Sequence, residues 1–376
     1  MKKNTTLTIG MDIGDRKCHV VVLAGNDADP TETAMVKTTR ESMQSYFESK
    51  PISTVAIEVG THSAWICTLL QSLGHTVIVA NPRQVRLISN SWSKTDWADA
   101  EKLARLARID PRLLHPIQHR GSEAQELAAF VRARDAAVRA RTKFVNHIRG
   151  VVKGIGERLP QCSTPSFIKH MDTVPPERRE ALEPLKKCLE VLNNTIKHYD
   201  RVIEKKGSEL GSVVSQLTQV DGIGTLTAVA YVSCIEDPHR FEASRTAGAF
   251  LGLCSRNKSS SSQDPELSIS KCGDSYVRHL LVSAAHRIIG PFGKESDLRT
   301  WGIKLAGQGK NSKKRAAVAV ARKLAVLLHQ LWKTGDDYKP LKNPKVTEQI
   351  IDNTDEYKAL FAKTKTKTKT KGSRKR

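Results

Sequence analysis

Residues 7–24, LTIGMDIGDRKCHVVVLA, constrain the fold more than any other stretch of this 376-residue chain. Two apolar, β-branched runs of strand length flank a turn carrying Asp12 and Gly14, which reads as a hairpin. Residues 52–58, ISTVAIE, form a further β-branched strand that ends in Glu58 and is followed by Gly60. Ala64 to Leu73 has a helical pattern, Gly74 stops it, and HTVIVANP is another strand closed by Pro82. Strands alternating with helices predict an α/β domain with a mixed sheet.

The next segment, residues 93–110, reads SKTDWADAEKLARLARID. Ser93 or Thr95 can cap a helix, and Asp96 and Asp99 in its first turn complement the positive end of the helix dipole. Leu103, Leu106 and Ala107 form an apolar stripe, with Lys102, Arg105 and Arg108 outside it. An isolated acidic pair at this place does no more than start a helix. In an RNase H-like fold, however, Asp12, Glu58, Asp96 and Asp99 converge on one edge of the sheet. The i, i+3 spacing puts both helix aspartates on one face. Four clustered carboxylates repel unless divalent cations neutralise them, and an open oxygen-rich site selects Mg²⁺, with Mn²⁺ as the alternative. Two such ions activate the attacking oxygen and stabilise the leaving oxygen in phosphodiester cleavage.

Beyond Pro116 the pattern becomes helical. Residues 122–153 form one long Ala/Arg-rich helix, and residues 158–178 break regularity with four prolines. Leu185, Leu189, Leu192, Ile196, Tyr199 and Ile203 then repeat at 4-3-4-3-4 spacing, a coiled-coil seam that can pair within the chain or between chains. A Gly222-Ile223-Gly224 turn between helical stretches suits a helix-hairpin-helix offering backbone N–H groups to a phosphate. It suits an ordinary helix–helix turn equally well. A serine-rich stretch, SRNKSSSSQDPELSISKCGD, separates helical segments at 243–251 and 275–289, and a last helix over 312–333 starts from a basic patch. The expected architecture is an α/β RNase H-like (RuvC-like) domain with a helical extension over 1–157 and a coiled-coil linker over 158–208. A mainly α domain with the helix-hairpin-helix element follows over 209–335, then a basic, low-complexity tail over 336–376.

Composition narrows the partners. Lys and Arg number 61 against 39 acids, a net charge of +22. The KTKTKTKTKGSRKR tail holds only eight of those charges, so a polyanion, most simply nucleic acid, is the expected partner of the rest. No apolar run approaches the roughly 20 residues of a membrane span, and no signal peptide is expected at the N-terminus. The seven cysteines are scattered and form no C-x-x-C, which points to a reducing, cytoplasmic setting rather than a disulfide framework or structural zinc.

The order G-x-D-I-G (10–14), I-E-V-G-T (57–61), N-P (81–82) and K-T-D-x-x-D-A (94–100) resembles the DEDD transposases of insertion sequences. Their N-terminal domain is similar to the RuvC Holliday-junction resolvase. The resemblance continues through R-T-K-F-V-N-H-I-R-G (141–150), D-G-I-G (221–224), A-G-A-F-L-G-L (247–253), S-K-C-G-D-S-Y-V-R-H-L-L (270–281) and K-K-R-A-A-V-A-V-A-R-K-L (313–324). It implies a recombinase acting on donor and target double-stranded DNA in bacteria or archaea, associated with the nucleoid. Asp12, Glu58, Asp96 and Asp99 match the family's metal tetrad. The family's C-terminal domain supplies a serine nucleophile that forms a covalent serine–DNA phosphodiester. Counting from Leu253 puts Ser260 at that position, with Ser259 and Ser261 on either side. Here the family's proline is replaced by Ser255, its tyrosine by Lys258 and its glycine by Ser261. The resemblance also implies a homodimer or homotetramer, with the metal site of one subunit meeting the serine of another, and in some members a structured bridge RNA as guide. Arg256, Lys258 and Lys271 are the expected contacts to backbone phosphates, with the Gly222–Gly224 turn clamping another.

Three other readings compete. A metal-dependent nuclease, or an invertase without guide RNA, shares the tetrad. A sugar-kinase or actin-like ATPase shares the G-x-D-I-G hairpin but lacks second and third phosphate loops. A decayed, non-catalytic nucleic-acid-binding transposase is the third.

Overall fold

A computed structural model describes residues 7–81, 95–256, 267–307 and 312–341. The chain divides into two compact units, residues 1–119 and 120–376.

The first unit is built on a five-stranded sheet. Its strands are β1 (Leu7–Ile13), β2 (Lys17–Ala24), β3 (Glu32–Lys37), β4 (Thr54–Glu58) and β5 (Thr76–Ala80), in spatial order β3-β2-β1-β4-β5. β2 runs antiparallel to β1 and β3, whereas β1, β4 and β5 are mutually parallel. Among the described residues, three α-helices cover it: α1 (Arg40–Glu48), α2 (Ser63–Ser72) and α3 (Asp96–Ile109). Strand alternation sorts the two faces. Ile9, Met11, Val55, Ile57 and Val79 share a core with Met43 and Phe47 of α1 and Ile66 and Leu70 of α2. On the other face Ala56, Ile78 and Ala80 pack against Leu103 and Ala107 of α3.

Two of these elements leave little trace in the sequence. β3 buries only Val36 and exposes Met35, so its inward and outward positions do not show as an apolar–polar alternation in the sequence. α1 buries only Met43 and Phe47, one i, i+4 pair on a polar helix started by Thr39, whose side chain accepts from the Ser42 amide.

In the second unit α4 (Ser122–Lys153) and α5 (Pro176–Glu209) form an antiparallel hairpin. Contacts step in opposite directions along the two helices: Glu126 to Lys206 at 3.2 Å, Arg134 to Asp200 at 2.5 Å, Arg141 to Asn193 at 3.0 Å. Leu182, Leu189, Ile196 and Ile203, one residue every seven positions, are buried along α5. Ile203 joins Leu127 and Val131 of α4, and Leu182 and Leu189 join Val145, Ile148 and Val152. Of the seam residues, Leu189, Ile196 and Ile203 are thus buried within the chain, and Leu185, Leu192 and Tyr199 are half-buried.

The helix assigned from sequence as an extension of the first domain lies in the second compact unit, because its apolar face is covered by α5. The remaining helices are α6 (Ser212–Thr218), α7 (Thr225–Ile235), α8 (Arg245–Phe250), α9 (Ser275–Ile288), α10 (Asp297–Ala306) and α11 (Ser312–Thr334). α7 is the centre of this unit: every residue from Thr227 to Ile235 is buried. Its Tyr231 hydroxyl donates to the Ala325 carbonyl of α11 at 2.7 Å.

Candidate active site

The acids are brought together by two small residues. Met11 pairs with Ile57 across the parallel β1–β4 ladder, so the next step sets Asp12 and Glu58 on neighbouring strands. Strand alternation puts both on the α3 face, with Gly10 and Ala56 beneath the helix. A Cβ on Gly10 would stand 2.5 Å from the Ala104 amide of α3, so the helix crosses the sheet where only glycine fits. The Thr95 side chain caps α3 by accepting from the Ala98 amide at 3.2 Å, which places Asp96 and Asp99 in the first turn.

Carboxylate oxygens of Asp12 and Asp96 and a ring nitrogen of His19 all lie within 4.8 Å of one another. Of the four acids read from the sequence, Asp12 and Asp96 therefore fall in one group. Glu58 ends the adjacent strand, half-buried. Asp99 is buried, and its Oδ1 lies 3.2 Å from the Lys102 ammonium. His19 was not anticipated. Its signal was the β1–β2 hairpin itself, in which His19 is the direct cross-strand partner of Asp12.

The donor set fits a divalent cation. Two carboxylates and an imidazole whose ligand atoms lie within 4.8 Å of one another form a group that one divalent cation can draw together. The Nδ1 atom of His19 is buried with no hydrogen-bond partner; it lies 3.5 Å from Oδ2 of Asp96, in contact but not aligned for a hydrogen bond. The Trp97 ring meets the imidazole edge to face, with centroids 4.6 Å apart, and holds it in place.

In the second unit two short segments flank the serine-rich stretch on either side. Ser270 N donates to Cys254 O at 2.8 Å, Arg256 N to Ser268 O at 3.2 Å and Lys271 N to Gly252 O at 3.1 Å. The Arg256 guanidinium also reaches the Ser268 hydroxyl at 3.0 Å. Arg278 of α9 staples the two segments, donating to the carbonyls of Leu251 at 3.0 Å and Cys272 at 2.9 Å. The segments cross so closely that a Cβ on Gly252, where φ is +69°, would stand 2.1 Å from the Cys272 carbonyl oxygen. Arg256 and Lys271 lie in these flanking segments; Lys258, Ser259, Ser260 and Ser261 lie outside the described residues.

Gly222 and Gly224 lie in the turn between α6 and α7. Gly222 has φ +83° and backs onto Ala284 of α9, and the Asp221 carboxylate accepts from the Lys294 amide at 2.8 Å. The Ile223 amide is used inside the turn, donating to Val220 O at 3.0 Å. Gly224 opens α7 without a side-chain cap and faces open space.

A cavity of about 1200 Å³ lies along α11, with Arg245, Lys314, Arg322 and Lys323 on its walls and Leu253 and Trp301 among its apolar lining. Lys323 Nζ sits 3.9 Å from the Trp301 ring centroid. Ser255 and Ser268 of the flanking segments also line this cavity. The sequence showed its cations as a basic patch at the start of the last helix but not its concave shape.

The mixed sheet, antiparallel only at β2 and β3, with acids at the ends of β1 and β4 and at the head of α3, defines an RNase H-like domain with an acidic site. Residues 9–157 match the DEDD-type IS110 family described as Transposase, and residues 214–297 match the Transposase IS116/IS110/IS902 family. The chain belongs to the IS110 family of DEDD-type transposases and is an enzyme that acts as a DNA transposase. The transposase for insertion sequence element IS1111A of Coxiella burnetii is 27% identical, over 77% of this chain and 80% of its own. The transposase for insertion sequence element IS1328 of Yersinia enterocolitica is 29% identical, over 75% of this chain and 83% of its own. The RuvC structure of Thermus thermophilus aligns with 28% of this chain and 97% of its own at 16% identity, with a TM-score of 0.22. No helix among the described residues is long and apolar enough to cross a membrane.

Proposed function

We propose that this transposase cuts and exchanges DNA strands by divalent-cation chemistry at the acid cluster, through a covalent phosphodiester to Ser260. The observation that carries this reading is the grouping of Asp12 with Asp96 at the head of α3, with Glu58 and Asp99 in adjoining positions. These four acids would hold Mg²⁺, or Mn²⁺ in its place. When bound, the ion neutralises their mutual repulsion and polarises the scissile phosphate. Lys102 beside Asp99 offsets one carboxylate charge and holds that side chain in a fixed position.

A serine hydroxyl is a weak nucleophile at neutral pH and needs activation. Its attack forms a bond from Oγ to phosphorus and breaks a phosphorus–oxygen bond to one sugar, whose oxygen leaves with a proton. The hydrogen bonds that join residues 252–256 to 268–272 support this reading, since they hold the chain on either side of the serines. Arg256, Lys258 and Lys271 neutralise backbone phosphates there, and the open Gly224 side of the Gly222–Gly224 turn receives another. We assign the chemistry to an acid-bearing domain over 1–157 and a serine-bearing domain over 209–335, joined by the helical hairpin region.

The net charge of +22 and the basic wall of the α11 cavity support a second nucleic acid, a structured guide RNA, beside donor and target DNA. The working assembly is a homodimer or homotetramer in the cytoplasm, associated with the nucleoid. In the test of the acid site, Asp96→Asn abolishes strand cleavage and leaves DNA and RNA binding nearly intact; equal loss of binding refutes the catalytic role. Retention of cleavage by Ser260→Ala identifies a hydrolytic nuclease instead. Sequencing the RNA that co-purifies from cells carrying the native locus tests the guide. One structured RNA encoded beside the gene supports it; random cellular RNA favours a protein-read invertase or a plain nuclease.

A further inference from the structure

The acid cluster contains one donor outside the DEDD pattern. His19 faces Asp12 across the β1–β2 ladder, so both side chains leave the sheet on the same face. Its ring nitrogen belongs to the same 4.8 Å group as the Asp12 and Asp96 carboxylates. That placement alone would fit a hydrogen bond between imidazole and carboxylate. The geometry does not provide one: Nδ1 is 3.5 Å from Asp96 Oδ2, buried and without a hydrogen-bond partner. A buried polar atom left unsatisfied is costly, and a group that satisfies it is the usual explanation. Trp97, edge to face at 4.6 Å, restricts the ring from turning this atom elsewhere. With its proton on Nε2, the imidazole presents the Nδ1 lone pair beside the Asp96 carboxylate.

We propose that His19 Nδ1 is a ligand of the divalent cation and tilts the site toward Mn²⁺ over Mg²⁺. The inference rests on the divalent-cation reading above and adds to it a nitrogen donor and a metal preference. Mg²⁺ is a hard ion that favours oxygen and water, whereas the later first-row ions bind imidazole progressively better. One nitrogen among oxygens therefore separates the two ions where four carboxylates alone would not.

The test uses the full-length protein loaded with Mn²⁺ and pulsed electron paramagnetic resonance, which detects ¹⁴N bound directly to the ion. A directly coordinated nitrogen is expected in the wild-type spectrum and is lost in His19→Asn. That variant is expected to bind Mn²⁺ at least about tenfold more weakly while its Mg²⁺ affinity is nearly unchanged. A wild-type Mn²⁺ spectrum without coordinated ¹⁴N overturns the assignment, and this readout does not depend on how the variant folds. Equal weakening of Mg²⁺ and Mn²⁺ binding in His19→Asn overturns the metal preference. Asp96→Asn separates the two levels. If it abolishes Mn²⁺ binding while the wild-type spectrum lacks nitrogen, the acid site stands and the His19 ligand falls. If the wild-type protein binds neither ion, both fall together.

Discussion

The carbonyl oxygen of Ala100 in α3 lies 2.0 Å from the position a Cβ on Gly10 of β1 would occupy. Strand and helix touch backbone to backbone at this crossing, two residues before Asp12 and four after Asp96. Gly10→Ala must therefore lift the head of α3 off the sheet. Overpacking of this kind costs about 1–3 kcal/mol. The expected outcome is a lowered melting temperature of the first unit with a larger proportional loss of strand cleavage, because Asp96 moves away from Asp12. Thermal unfolding and a cleavage assay on the same preparation check both.

Arg278 joins the two segments that flank the serines by hydrogen bonds to a carbonyl of each. Arg278→Ala removes both and leaves those carbonyls to solvent, a cost of about 1–3 kcal/mol. Protein–DNA adduct formation is expected to fall several-fold while cation binding at the acid cluster stays unchanged. Adduct yield on denaturing gels, set beside cation titration, separates the two effects.

His329 on α11 is completely buried, with Nε2 donating to the Pro238 carbonyl at 2.9 Å. Burial, the largest influence, holds its pKa below the ordinary 6.5. As pH falls through 6.5 the unfolded chain takes up a proton that the folded chain refuses, so stability is full above this pH and declines below it. Urea unfolding of the wild type should show this loss on acidification below about pH 6.5, before most carboxylates titrate. His329→Gln should remove that part of the pH dependence even where its absolute stability is lower.

Cys234 in α7 is buried, and desolvation pushes its thiol pKa up to about 12. At pH 8 roughly one molecule in ten thousand then carries the thiolate that reacts with alkylating agents. Cys188 and Cys272 are exposed. Brief iodoacetamide treatment of the native protein is expected to label those two and spare Cys234, and denaturant should abolish the difference. Peptide mass mapping measures it.

Much of the first unit is legible in the chain because its strands and helices carry their own periodicity. β1, β2, β4 and β5 announce themselves as β-branched runs, and Thr95 with Asp96 and Asp99 marks the start of α3. The long α4 coincides with the Ala/Arg-rich stretch over 122–153. β3, α1 and α10 carry no such mark. β3 is an edge strand with one buried residue, α1 buries only Met43 and Phe47, and α10 fully buries only Gly302 and Ala306, its Leu298 and Trp301 being partly buried, so their patterns are weak.

What the sequence determined by itself is local: which segments become strands or helices, where caps begin them, and which acids stand at their ends. Those properties depend on neighbours within a few residues along the chain. Three matters were decided only by tertiary structure. His19 joined the acids because hairpin register sets it opposite Asp12. Leu189, Ile196 and Ile203 of the α5 seam were buried within the chain because Leu127, Val131, Val145 and Ile148 of α4 present a complementary face. Finally, Asp12 and Asp96 fell in one group because glycine at position 10 lets a helix rest directly on the strand. The first is short in sequence but depends on the register of the pairing; the other two relate residues distant in sequence and are fixed by packing that no local pattern encodes.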